Sequence, residues 1–256
     1  MRKQEQMLIT SHNQIAKDIF ELVLTGELVQ TMFEAGQFVN VKTGDSGLLL
    51  RRPISICQIN HEKSEMTLIY RAGDSTTGTR VLANKVVGET VDILGPLGTG
   101  FNLEGIGKNE TVLLVGGGIG VPPMYETAKR LHAKGIAVVA VLGFASIDDV
   151  FYEEKFAEVA TVHIATMDGS HGFKGHVVQL IEEKNINFDW VFGCGPHVML
   201  TALAKNYGDK KGYLSFEERM ACGIGACYAC ICEAKDGTRS RVCKEGPVYP
   251  IGEVKI

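Results

Sequence analysis

The sequence has no excess of positive charge. Its 26 Lys and Arg stand against 30 Asp and Glu, giving a formal net charge of −4, and no dense basic run gathers anywhere along it. A polyanion-binding surface needs such a run, so no nucleic acid is expected as a partner. No apolar stretch reaches the roughly 18 to 20 residues that span a bilayer, and Arg2 and Lys3 are not followed by the apolar core of a secretory signal. The expectation is therefore a cytoplasmic chain with no membrane attachment. Internal repeats and low-complexity linkers are also missing. What remains is an ordinary globular composition, 45% apolar and 22% charged over 256 residues, long enough for two compact domains and a small appendage.

Glycine is plentiful, at 30 residues, and four of the cysteines form a pattern. Cys222, Cys227, Cys230 and the more distant Cys243 read C-x4-C-x2-C…C, the plant-type spacing for a [2Fe–2S] cluster. Three thiolates this close must lie on a loop, which Gly223 and Gly225 allow to fold tightly. A structural zinc site also takes four thiolates, but zinc knuckles usually pair two close-spaced cysteines with two more. A disulfide framework fits poorly with crowded cysteines in a reducing compartment. Cys232 falls outside the spacing and is expected to point away from the cluster, while Cys57 is expected to be a buried thiol.

From Gln6 to about Leu97 short β-branched and apolar runs alternate with turn residues, among them Gly36–Val41 and Met66–Arg71, which suggests a small antiparallel barrel. The run Ile15–Leu24 is expected to end in a strand. Within Arg51–Ile56 an arginine can grip a pyrophosphate, Ser55 can offer a hydroxyl to a flat heterocycle, and Pro53 favours a strand edge facing a ligand. Gly78 and Thr79 open a helical pattern; they are read either as an anion site or, more simply, as an N-cap made by Thr79.

Thr111–Val115 is a continuous apolar run, as in a strand buried on both faces of a parallel sheet. It leads into Gly116–Pro123, a helical pattern over Met124–Ala133 and a second strand over Ile136–Gly143, the unit that presents a helix N-terminus to a dinucleotide. The glycines depart from G-x-G-x-x-G, and the prolines suit a first helical turn. No cation adjoins Ser146, whereas Asp148 and Asp149 follow it, which favours NAD over NADP. Further strands are expected at Thr161–Thr166 and Trp190–Gly193, with a helix at Val177–Lys184. Cys194 stands at a strand's C-terminal end, where two readings hold: a thiol beside a nicotinamide, or a small buried filler.

These blocks occur in the order found in ferredoxin reductase-type flavoproteins: Arg52-Pro53-Ile54-Ser55, then Gly117-Gly118-Ile119-Gly120, then Cys194-Gly195-Pro196. Ser215 to Cys230 resembles more narrowly the electron-transfer subunits of class B dihydroorotate dehydrogenases, and the likeness covers essentially the whole chain. The resemblance implies an antiparallel β-barrel FAD domain (1–100), a parallel-sheet α/β NAD domain (101–213) and a small C-terminal [2Fe–2S] domain (214–256). It places FAD against Arg52, Pro53, Ile54, Ser55, Ile69, Tyr70, Arg71, Gly78 and Thr79, the exchangeable NAD against Gly117, Gly118, Gly120, Cys194, Gly195 and Pro196, and the cluster on Cys222, Cys227, Cys230 and Cys243. Ile54 stands where many reductases have an aromatic. The implied partner is an FMN-containing catalytic subunit, in a heterotetramer of two of each, with orotate chemistry on the partner and docking near Tyr228–Lys244. A flavin converts a two-electron hydride into single electrons, so the three sites together read as a relay in pyrimidine biosynthesis. The rival readings are a reductase subunit of another flavin and iron–sulfur complex and, in a different class, a zinc-stapled nucleotide-binding regulatory protein.

Overall fold

The computed structural model describes residues 2–44 and 47–255. Its first third is a closed antiparallel barrel of β1 (Lys3–Ala16), β2 (Ile19–Thr25), β3 (Phe38–Lys42), β4 (Arg52–Asn60), β5 (Glu65–Arg71) and β6 (Thr90–Leu97), in the order β1-β2-β5-β4-β3-β6. Alternate side chains fill the interior, among them Met7, Leu22, Val39, Ile56, Leu68 and Ile93. The stretch Ile15–Leu24 is two strands meeting at a hairpin. Asp18 turns the chain there with φ 55°, a left-handed conformation that a short polar side chain tolerates.

The barrel is not zipped along its full height. β4 pairs with β3 from Arg52 to Ser55 but joins β5 only from Ile56 onward, while Ile69, Tyr70 and Arg71 pair only with β2. Pro53, with no N–H to donate, lies in the unzipped part of β4. A seam therefore opens between Ser55 and Ile69–Arg71. The short helix α1 (Gly78–Ala83) follows β5.

The middle of the chain forms β7 (Thr111–Gly117), α2 (Val121–Ala133), β8 (Ala137–Phe144), α3 (Glu153–Ala157), β9 (Thr161–Thr166), β10 (Phe173–Lys174), α4 (Val177–Glu183), β11 (Trp190–Cys194), α5 (His197–Tyr207) and β12 (Lys211–Ser215). The sheet order is β10-β9-β8-β7-β11-β12, parallel throughout. Val112 and Leu114 pack into one hydrophobic cluster and Leu113 and Val115 into the other, so the apolar run is buried on both faces. Strand order reverses between β7 and β11, and such a reversal leaves a crevice at the strands' C-terminal ends. α2 begins earlier than the apolar periodicity suggests, because Pro122 and Pro123 occupy its first turn.

After β12 the chain makes the cysteine loop, the hairpin β13 (Ile231–Glu233) and β14 (Arg239–Arg241), and β15 (Val248–Pro250), which pairs antiparallel with β12 at the edge of the same sheet. Polar contacts join barrel and α/β layer. Tyr152 and Lys155 both donate to Glu21, Lys17 N–H donates to the Asp148 carbonyl at 2.9 Å, and the Ile59 N–H donates to buried Glu126 at 3.1 Å. Among the described residues no helix is long and apolar enough to cross a membrane.

Candidate functional site

The open seam faces the crevice of the sheet, and between them lies a cavity of about 260 Å³. The barrel supplies Pro53, Ile54, Ser55, Ile69, Tyr70, Arg71 and Thr79 to its wall; Ile119 and Cys194 come from the α/β layer. A third wall is the segment from Ser215 to Glu218 together with Met220. Ile119, Phe216, Glu217 and Met220 had no role assigned from the sequence; the only signal is that Ile119 sits within the glycine turn after β7 and the other three lie between β12, a strand not read from the sequence, and the first cysteine of the loop. Glu217, open to solvent at the mouth but ringed by protein, has its carboxyl pushed above the usual range.

The two arginines beside Pro53 have separate tasks. Arg51 is committed to the barrel, paired with Asp92 at 2.8 Å. Arg52 donates to the Leu50 carbonyl at 2.6 Å and passes over Gly78, where an added Cβ would stand 2.7 Å from its Nε. Gly78 thus leaves room for the guanidinium. The N-cap of α1 is Thr77, whose hydroxyl accepts the Arg80 N–H at 3.4 Å, rather than Thr79. Thr79 accepts the Gly73 N–H at 3.1 Å, which ties the turn to the cavity wall.

In the crevice, parallel pairing of β7 with β11 sets Cys194 opposite Gly116. A Cβ on Gly120 would lie 2.3 Å from the Cys194 carbonyl oxygen, and one on Gly117 would lie 2.8 Å from Met199 Sδ. These two glycines admit other parts of the chain. At Gly118, with φ 51°, a Cβ would meet nothing within 4 Å, so this backbone is open. Pro122 and Pro123 remove two N–H donors from the first turn of α2, which leaves the Gly118–Gly120 turn to supply backbone donors. Cys194 is buried, and burial pushes its thiol up to about 12. Cys57 is likewise buried with its thiol raised by desolvation. The sequence places no cation beside Ser146, but folding brings one. Arg71 reaches from the barrel to Asp149 at 3.6 Å, and the Ser146 hydroxyl donates to the same carboxylate at 3.0 Å.

The cysteine loop begins two residues beyond Met220. Gly223 and Gly225 adopt φ of 67° and 82°; a Cβ on Gly223 would stand 2.0 Å from Asn40 Nδ2, so only glycine allows this approach to the barrel. Cys222 Sγ accepts N–H groups from Ile224, Ala226 and Cys227 at 3.3–3.4 Å. Partial burial pushes that thiol up, yet the backbone donors outweigh it and bring it down to about 6. Cys230 and Cys243 are buried at either end of the β13–β14 hairpin, and the Cys243 N–H donates to Cys230 Sγ at 3.4 Å. Desolvation raises Cys243 to about 12, so any metal held there would have to displace its proton. Cys227 is exposed. Among the described residues no three or more His, Cys, Asp and Glu side chains converge as a metal shell; an all-sulfur donor set with backbone N–H bonds to sulfur is the chemistry that suits an iron–sulfur core. Cys232 lies on β13 and donates to the Tyr249 hydroxyl at 3.7 Å. Arg241 donates to the Gly225 carbonyl at 2.8 Å and lies 5.0 Å from the ring of exposed Tyr228.

A family model described as the iron–sulfur cluster binding domain of dihydroorotate dehydrogenase B matches residues 217–255. Over their full lengths the chain is 52% identical to proteins of Bacillus cereus and Bacillus anthracis, each named dihydroorotate dehydrogenase B (NAD(+)), electron transfer subunit, with 261 residues aligned and 100% of both chains covered. A solved structure of an NADH-dependent reduced ferredoxin-NADP oxidoreductase, described in connection with flavin-based electron bifurcation, superimposes with a TM-score of 0.86 at 28% identity, over 98% of this chain and 90% of that one.

Proposed function

The chain belongs to the family of dihydroorotate dehydrogenase B (NAD+) electron-transfer subunits, and from that premise we propose how its residues divide the work of moving electrons between NAD and a catalytic partner subunit. It is an oxidoreductase subunit with an FAD- and NAD-binding reductase fold and an iron–sulfur domain. When bound, the flavin exchanges a hydride with the nicotinamide and single electrons with the cluster.

The observation that carries the residue assignment is the cavity itself: seam, crevice and the segment leading to Cys222 all border one space. Ser55 would offer a hydroxyl to the flavin ring, and Ile54, Ile69 and Tyr70 would supply apolar and aromatic wall. Arg52, with Gly78 beneath it, and Arg71 would meet the negatively charged pyrophosphate, with Thr79 holding the turn between them. Gly118 is the open backbone over which NAD would lie. Gly117, Gly120, Gly195 and Pro196 bring the two strand ends together beneath it, and Cys194 closes the floor as a protonated thiol. Phe216 to Met220 would shield the cavity from water and run on to the cluster ligands Cys222, Cys227, Cys230 and Cys243. The exposed surface at Tyr228 and Cys227 would face the partner. Completing this reading are FMN and orotate chemistry on that partner, a heterotetramer of two of each subunit, and a cytoplasmic setting.

The test is reduction of NAD+ by dihydroorotate, measured with and without a co-expressed FMN-containing catalytic subunit, together with iron, sulfide and flavin analysis of the anaerobically purified chain. Partner-dependent turnover with two irons per chain is expected. Turnover that ignores the partner, or a colourless protein containing zinc and no flavin, refutes the reading.

A further inference from the structure

One polar side chain behind the cavity is used by none of the assignments above. His12, on β1, is half-buried and has both ring nitrogens engaged: Nδ1 lies 2.7 Å from the Lys85 carbonyl oxygen and Nε2 lies 2.8 Å from the Tyr70 hydroxyl. A carbonyl can only accept, so Nδ1 carries the hydrogen, and in the neutral ring Nε2 is then left as an acceptor. The Tyr70 hydroxyl must therefore donate to His12. Its proton points away from the cavity.

The rest of Tyr70 is held as firmly. Its ring stacks on Phe20 at 5.9 Å and 17°, His12 packs against the same Phe20 at 5.7 Å, and Tyr70 is only 2% exposed while lining the cavity wall. Burial pushes its phenol up, so it does not ionise in any ordinary buffer. Lys85, the other partner of His12, follows the C-terminal end of α1, whose first turn carries Gly78 and Thr79. One imidazole thus braces two parts of the same wall, the strand end bearing Tyr70 and the helix bearing the glycine–threonine turn.

We propose that His12 is a positioning residue for the flavin site, which fixes Tyr70 as a ring face and a hydrogen-bond acceptor toward FAD and never as a donor. The inference rests on the reading that FAD occupies this cavity. Its chemical consequence is specific. Phosphate oxygens need donors, so Tyr70 does not hold the pyrophosphate; it meets a donor-bearing or flat part of the cofactor, such as a sugar hydroxyl or a ring. The pyrophosphate falls to the arginines.

The experiment refills wild-type and variant apoprotein with FAD and records the dissociation constant and the bound flavin's absorption spectrum, with thermal unfolding of each apoprotein alongside. His12→Ala is expected to weaken FAD about tenfold, a loss of roughly one hydrogen-bond anchor. Tyr70→Phe is expected to show a similar loss, and the double variant no more than the larger single loss, because both remove the same bond. His12→Gln, which retains one donor and one acceptor, is expected to recover most of the affinity and the wild-type spectrum. FAD affinity unchanged in His12→Ala, fully additive losses, or no recovery in His12→Gln with normal apoprotein stability would each overturn the proposal. Should His12→Ala fail to fold, Tyr70→Phe carries the test, and wild-type affinity there overturns it. A wild-type apoprotein that takes up no FAD at all refutes the cavity assignment instead, which separates the two failures.

Discussion

Gly120 is placed where a methyl group has nowhere to go. Its φ of −81° and ψ of −8° suit alanine, so Gly120→Ala strains no dihedral and, taken alone, would stabilise the chain by roughly 0.4–1 kcal/mol by restricting the unfolded state. Against this, the new Cβ would sit 2.3 Å from the Cys194 carbonyl oxygen, 2.4 Å from its carbon and 2.6 Å from Gly195 Cα. All three are backbone atoms at the end of a buried strand, so relief requires the β7–α2 turn and the end of β11 to part by about 1 Å. Overpacking of this kind costs roughly 1–3 kcal/mol. A net loss of about 1–2 kcal/mol follows, and with it a fall in Tm of roughly 2–8 °C for a chain of this size. Gly117→Ala is the control. Its φ of −117° and ψ of 116° also suit alanine, and its close neighbours are side chains rather than backbone, Met199 Sδ at 2.8 Å and the Pro196 ring Cδ at 2.9 Å. The thioether can swing aside and only the proline ring must shift, so the expected loss is smaller than at Gly120, about 1 kcal/mol. Thermal unfolding of the two apoproteins, with KM for NADH measured on the holoproteins, gives the comparison. Trimming Cys194 should not rescue Gly120→Ala, since the clash is with its carbonyl and not its thiol. Equal stability of the two variants, or rescue by Cys194→Ala, would refute the view that Gly120 is there to let two strand ends meet.

If exposed Cys227 is a cluster ligand as proposed, Cys227→Ser is expected to leave flavin reduction by NADH intact while abolishing electron flow to the partner and lowering iron content; unchanged partner reduction would remove Cys227 from the proposed ligand set. The buried thiols Cys57 and Cys194 predict an alkaline limit. Both are held protonated in the folded chain, whereas an unfolded thiol ionises near 9. Their stabilising contribution is therefore complete below pH 9 and is lost as pH rises toward the folded value of about 12 for Cys194, by up to about 1.4 kcal/mol per pH unit for each thiol. Urea titrations from pH 8 to 10.5 should show stability falling with this sign, and Cys57→Ala should flatten the slope; a slope identical in that variant would contradict it.

Local patterns were legible where the chemistry is local. The four cysteines announce themselves by spacing, the Thr111–Val115 run by unbroken apolarity, and Pro122–Pro123 by their tolerance of a first helical turn. What escaped reading depends on pairs far apart in the chain. The seam exists because β4 and β5 stop pairing above Ile56 and Leu68, which no run of residues encodes by itself. Arg71 stands beside Asp149 only because the barrel docks on the sheet, so a search for cations near Ser146 along the sequence could not meet it. The cap of α1 fell two residues earlier than expected, on Thr77, because three threonines compete there and local geometry decides among them. His12 had no pattern at all; its meaning comes from Tyr70 and Lys85, 58 and 73 residues away.

The return of the chain at β15 limits how the cysteine loop can move. The polypeptide leaves the sheet at Ser215 and comes back to pair Val248 with that same residue, Tyr249 with Leu214 and Pro250 with Tyr213. Both ends of the excursion are therefore clamped to one strand, and the loop is a fixed handle rather than a carrier on a leash. A relay built in this way has no arm to swing between donor and acceptor, so electron passage inside the assembled complex should be indifferent to solvent viscosity. The same three residues of β15 cover the edge of β12, which would otherwise offer unpaired backbone to a neighbouring molecule.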